Sequence, residues 1–142
     1  MAALDSVLTY RRHLLDQRKA DLAKAMQADT VLANRIDAQD SERAGVTAEA
    51  AAASAGGPVD IAAVAARLLY SRRLQAESQQ LAAQRTVVAE RITQCREAVA
   101  KADSDVKAIE RILEKRAAAA HKAALKREQL TMEDAFAARR HV

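Results

Sequence analysis

The sequence predicts an all-α protein in which two long helices fold back on each other as an antiparallel coiled-coil hairpin, the second overhanging the first. Three observations carry this expectation. From Val88 to Leu113 the residues Val88, Ile92, Cys95, Val99, Ala102, Val106, Ile109 and Leu113 step alternately by four and three, which keeps them on one narrow seam of a helix. Every Gly and Pro of the chain falls at Gly45, Gly56, Gly57 or Pro58, so the breaker signal is confined to one region. The composition also argues against a wide core. Aromatics are 2 % and Trp is absent, and much of the hydrophobic content is Ala, which buries little area at about 25 cal/mol per Å².

The first element is a helix over residues 1 to 55. Leu4, Leu8, Leu15, Leu22, Leu32 and Ile36 keep a three-four spacing, with Arg11, Arg18, Ala25 and Asp29 at the intermediate seam positions. Polar residues in a seam lower stability but fix register. Gly45 is a possible break, after which the Ala-rich run 48 to 53 resumes the helix.

The reversal is expected at residues 56 to 60, since Gly suits the position past a helix end. Pro58 fits a helix start, and Asp60 fits an N-cap for a helix that begins one turn later.

The second helix is expected over 61 to 142. From Val59 to the end, 142 − 58 = 84 residues pass without Gly or Pro, and if continuous they span about 126 Å at the α-helical rise. Two helices joined by a short reversal run antiparallel. One register aligns every layer: Leu4 with Leu113, Leu8 with Ile109, Leu15 with Ala102, Leu22 with Cys95, Ala25 with Ile92 and Ile36 with Leu81, each pair of numbers summing to 117. Half of that falls between Pro58 and Val59, where the breakers independently place the turn. Val88, Val99 and Val106 complete the seam of the second helix.

In this register residue 1 lies opposite about residue 116, so 117 to 142 form an unpaired overhang of about 39 Å. Ala117 to Ala120 suit it, because Ala sustains helix without packing. Leu125, Met132 and Phe136 follow at spacings of seven and four, an apolar line without an intramolecular partner and therefore a candidate protein interface. Leu68, Leu69 and Tyr70, with Arg72 and Arg73, are a second candidate near the turn. Three adjacent apolar residues cannot all face one seam, so at least one is expected to be exposed or packed on a folded tip.

The formal charge is +4 and is unevenly placed. Residues 1 to 44 carry seven Lys/Arg and seven Asp/Glu, whereas 61 to 142 carry sixteen against ten. Lys115, Arg116, Lys122, Lys126, Arg127, Arg139 and Arg140 could follow phosphates, but no aromatic residue is interleaved to stack a base. An acidic protein surface is the better match, with a solvated helix face as the bland alternative. Cys95 is the single cysteine and sits on the seam, so it reads as a small buried hydrophobe in a reducing, cytosolic setting. The expectation is a soluble, unprocessed chain with no direct membrane insertion, since neither a long apolar run nor a signal segment is present. The chain lacks a phosphate loop, a nucleophile elbow and an HExxH motif, and His13, His121 and His141 are isolated, so no enzyme, metal site or cofactor is expected.

The length of the hairpin, the run DVKAIERILEKR from Asp105 to Arg116 and the ending REQLTMEDAFAARR from Arg127 to Arg140 resemble the FliJ family of flagellar type III export proteins. They resemble less closely the stalk proteins of virulence type III secretion systems. The resemblance implies a non-enzymatic coiled coil, cytoplasmic and peripheral at the inner-membrane export apparatus. It would sit like an axle in a hexameric export ATPase, link it to the membrane export gate, and escort other export chaperones. On that basis Leu125, Lys126, Arg127, Met132, Phe136, Arg139 and Arg140 are expected to engage the ATPase ring. Leu68, Leu69, Tyr70, Arg72 and Arg73 are expected to engage the export-gate protein, from a monomeric hairpin that binds no nucleic acid. The competing class is a structural or nucleic-acid-binding coiled-coil adaptor.

Overall fold

The computed structural model describes residues 2–141 and contains two helices packed against each other, α1 (Ala2–Ser54) and α2 (Ile61–Arg140). Among the described residues there is no strand. The outermost positions of the expected hairpin, residues 1 and 142, lie outside the described residues. The chain divides into two compact units, one of Met1–Gln17 with Ala100–Val142 and one of Arg18–Val99.

In the first unit Leu8, Leu15, Ala102 and Val106 are buried, while Leu4, Ile109 and Leu113 are half-buried. The Arg11 guanidinium donates to the Asp105 carboxylate at 3.4 Å, and Arg12 donates to Glu110 at 3.2 Å. The seam arginine Arg11 is thus paired where it crosses an otherwise apolar stripe. All four side chains are more than a third exposed, so each pair adds at most about 1 kcal/mol and mainly fixes register.

In the second unit Ala25, Ala50, Leu74 and Cys95 are buried, and Leu22, Ile36, Leu81, Val88, Ile92 and Val99 are half-buried. Its cross-helix bonds report the pairing directly. Ser78 Oγ donates to Gln39 Oε1 at 3.2 Å, Arg43 donates to Gln75 at 3.2 Å, and the Thr47 and Ser71 hydroxyls share a bond at 3.3 Å. The numbers of these pairs sum to 117, 118 and 118, and those of Arg11–Asp105 to 116. Each unit therefore keeps the register expected from the heptads. The same alternation continues past Ile36 through Gln39, Arg43, Val46, Ala50 and Ala53, and past Leu81 through Ser78, Leu74, Ser71, Arg67 and Val64, every one buried or half-buried. These layers are hard to see in the sequence because seven of the ten residues are polar or Ala.

The possible break at Gly45 does not occur, because α1 passes through it without interruption. A helical Gly costs about 1 kcal/mol relative to Ala, and the seam residues Val46 and Ala50 on one side and Arg43 on the other hold the helix across it. At the turn, the Ala55 N–H donates to the Ala52 carbonyl at 3.3 Å, and Gly57 takes φ +73°, a conformation open to Gly at no steric cost. Of the two starts compatible with the sequence, the later one is adopted. Asp60 is the N-cap, its Oδ1 accepting the Ala63 N–H at 3.2 Å and its carbonyl accepting the Val64 N–H at 3.1 Å. Pro58 therefore lies in the turn.

Candidate docking surfaces

From Glu114 through His141 every residue is exposed, and the helix continues to Arg140. High helix propensity explains this persistence, since Ala, Lys, Arg, Glu, Gln and Leu dominate the stretch. Leu125, Met132 and Phe136 lie on one face of this lone helix together with Glu128, Gln129, Glu133 and Arg140, and Met132 is 72 % exposed. The Arg140 guanidinium sits 5.1 Å from the centroid of the Phe136 ring, a cation–π contact worth about 0.5–1 kcal/mol at an exposed site. Gln129 donates to Glu133 at 3.4 Å along the same face. Arg140 is thus the one basic residue of the expected ring-binding set that joins the apolar face; Lys126, Arg127 and Arg139 are exposed but do not line it.

The direction of this face matters. Leu125 follows the seam residue Leu113 by twelve positions, so at 3.6 residues per turn it is rotated roughly 120° around the helix from the seam. A partner held by Leu125, Met132 and Phe136 meets α2 on a different side from the one α1 occupies at Leu113.

Near the turn, Leu68, Leu69 and Tyr70 are all exposed. The seam there is taken by Val64, Arg67, Ser71 and Leu74, which leaves no seam position for any of the three. Tyr70 is not free, however: its hydroxyl donates to the Glu42 carboxylate of α1. That bond, with the nearby negative charge, holds the phenol above its ordinary pKa of 10.0. Arg73 is turned onto Glu77 at 3.2 Å. Leu68, Leu69 and Arg72 therefore form the outward-facing part of the expected gate-binding set. Sequence reasoning missed two neighbours, Val59 and Ile61, the latter 79 % exposed. Ile61 precedes Leu68 by seven residues and falls off the Val64–Ser71 seam, and that spacing was the available signal.

A third apolar surface was also missed. Val7, Tyr10 and Ile112 are exposed and Leu14 is half-buried. Val7, Leu14 and Ile112 each immediately precede a seam residue and so share one flank of the hairpin, while Arg12 and Glu110 pair on the opposite flank. The signal was a second three-four spacing, Val7, Tyr10 and Leu14, running beside the first.

Among the described residues no group of three or more His, Cys, Asp or Glu is placed to hold a metal ion. His13 lies 3.2 Å from the Gln17 amide on the same helix, and Cys95 is buried as a free thiol. No helix of the described residues is long and apolar enough to cross a membrane. Comparison with models of protein families, with curated proteins and with solved structures finds no match to this chain.

Proposed function

We propose that the chain is the non-enzymatic coiled-coil stalk of a flagellar type III export apparatus, entering a hexameric export ATPase by its overhanging helix and promoting ring assembly and turnover. The turn end, through Leu68, Leu69 and Arg72, meets the membrane export-gate protein. One observation carries this reading: a solvated helical end presents Leu125, Met132 and Phe136 on a face that no other part of the described chain covers. Such an end can enter a narrow ring and pass from one similar surface to the next without a single large fixed contact. Its surplus of Lys and Arg suits acidic ring surfaces, and the resemblance of the runs Asp105 to Arg116 and Arg127 to Arg140 supplies the identity of the ring.

The test is to mix the purified chain with the cognate export ATPase and measure oligomerisation and ATP turnover. Both should rise; unchanged values would remove the stalk reading. A second reading, a coiled-coil adaptor with no ATPase partner, is favoured by the flank of Val7, Tyr10, Leu14 and Ile112, which suits a third helix packed on the hairpin. Under that reading the chain binds helical segments while leaving ATP turnover untouched.

A further inference from the structure

We propose that the paired helices of the unit Arg18–Val99 contain a soft central segment, residues 29–39 of α1 and 78–88 of α2, that opens while the seam on either side stays closed. The inference concerns the hairpin alone and does not depend on the stalk reading.

Burial locates the segment. Ala25 and Cys95 are buried on one side of it, and Ala50, Ser71 and Leu74 on the other. Between them, none of residues 26–49 or 75–94 is buried. In the four layers of the segment neither residue is buried. Asp29 stands opposite Val88, Leu32 opposite Arg85, Ile36 opposite Leu81 and Gln39 opposite Ser78, so one of the four layers is apolar on both sides. The polar groups are satisfied rather than stranded. Arg85 bonds Asp29 at 2.8 Å, Gln39 donates to Glu77 at 3.1 Å, and Ser78 donates to Gln39 at 3.2 Å.

Such layers hold register, but they bury little apolar surface. Replacing water by these partners gains far less than burying Leu against Leu. An open groove lies along the segment between Asp29, Ile36, Arg85, Ala89 and Ile92. A stretch with few buried apolar contacts and exposed polar bonds opens at lower free energy than its flanks. Both helices continue through it while it is closed; once parted, each stretch loses the packing that supplies most of a helix's stability, so its backbone bonds open and its amides exchange. The segment is thus a hinge set between two clamps.

Amide hydrogen exchange on the full chain tests this. Amides of residues 29–39 and 78–88 should show protection at least about tenfold below those of residues 18–25 and 92–99. Uniform protection from Arg18 to Val99 would overturn the proposal. A double variant, Asp29→Leu with Arg85→Leu, fills two layers and should raise protection of the segment roughly tenfold while leaving the flanks unchanged. A segment as unprotected as before would also overturn it. Independently of that variant's folding, spin labels at Ala38 and Gln79 in a Cys95→Ala background should give a distance distribution roughly twice as broad as labels at Ala51 and Ala66. Equal widths would count as refutation.

Discussion

The Asp29 carboxylate accepts two hydrogen bonds from the Arg85 guanidinium, from Nε at 2.8 Å and from Nη2 at 3.4 Å, across the seam between α1 and α2. This fork holds Asp29 below its ordinary pKa of 3.8 and Arg85 above its own, first through the hydrogen bond itself and then through the attraction of opposite charges. A depressed carboxylate stabilises the fold at pH values above 3.8, and the contribution is lost as pH falls through the lower folded value. Urea midpoints followed by circular dichroism should therefore show Asp29→Asn less stable than the parent at neutral pH, with the two converging as pH falls through the lowered folded value. A gap that persists in acid would mean that Asp29 acts through packing rather than charge.

Tyr70 gives the opposite sign at the other end of the scale. Its folded pKa is raised by the bond to Glu42, so the contribution is intact below pH 10.0 and disappears as pH rises through the folded value. In a Tyr10→Phe background, tyrosinate absorbance should appear at higher pH than in a free tyrosine amide. Replacing Glu42 by Gln should move it back down.

Gly45 sits in an exposed helical turn, and a Cβ added there meets nothing within 4 Å. Gly45→Ala should raise stability by about 0.5–1 kcal/mol, through helix propensity and a less free unfolded chain. Gly57→Ala should do the reverse, since its φ of +73° is disfavoured for any residue with a side chain. Thermal midpoints of the two variants should fall on opposite sides of the parent.

Leu8 and Leu15 are buried in the first unit, yet a two-helix seam offers less enclosure than a globular core. Leu15→Ala should cost about 2 kcal/mol, at the low end for a buried leucine, because water can reach the space it leaves. Cysteines at Leu8 and Ile109 in a Cys95→Ala background should oxidise to a crosslink within one chain. Crosslinking between chains alone would replace the hairpin by an intermolecular pair.

Fold and register were legible because they depend on periodicity, which a sequence displays without knowledge of tertiary contacts. Leu22 facing Cys95 and Ile36 facing Leu81 follow from counting alone. The seam near the turn was less legible: Arg43, Val46, Ala50, Arg67 and Ser71 occupy it, and only Val46 among them carries a strong apolar signature. The same seam decides the fate of Leu68 to Tyr70: at least one was expected to be exposed or packed on a folded tip, and all three are exposed because Val64, Arg67, Ser71 and Leu74 hold the inward positions. Gly45 was ambiguous for an energetic reason, since a cost of about 1 kcal/mol is decided by flanking layers rather than by the Gly itself.

The overhang permits a test in which folding and docking separate. Leu125, Met132 and Phe136 contribute nothing to the paired seam, since all three are exposed on a helix with no neighbour. Changing them together to Ser should leave the unfolding midpoint of the hairpin within about 0.5 kcal/mol of the parent, with a small loss of helicity confined to the tail. If the chain is the proposed stalk, ATPase stimulation should fall steeply, because an interface built on a few large apolar anchors loses most of its affinity with them. Arg139→Ala with Lys126→Ala should weaken binding chiefly at low salt, since these charges lie off the apolar face and act at longer range. Changing Leu68, Leu69 and Arg72 should spare the ATPase and weaken gate binding. Deletion of residues 117 to 142 gives the decisive comparison: stimulation that survives it would place the ring contact elsewhere on the hairpin, with the flank of Val7, Tyr10, Leu14 and Ile112 as the next surface to change.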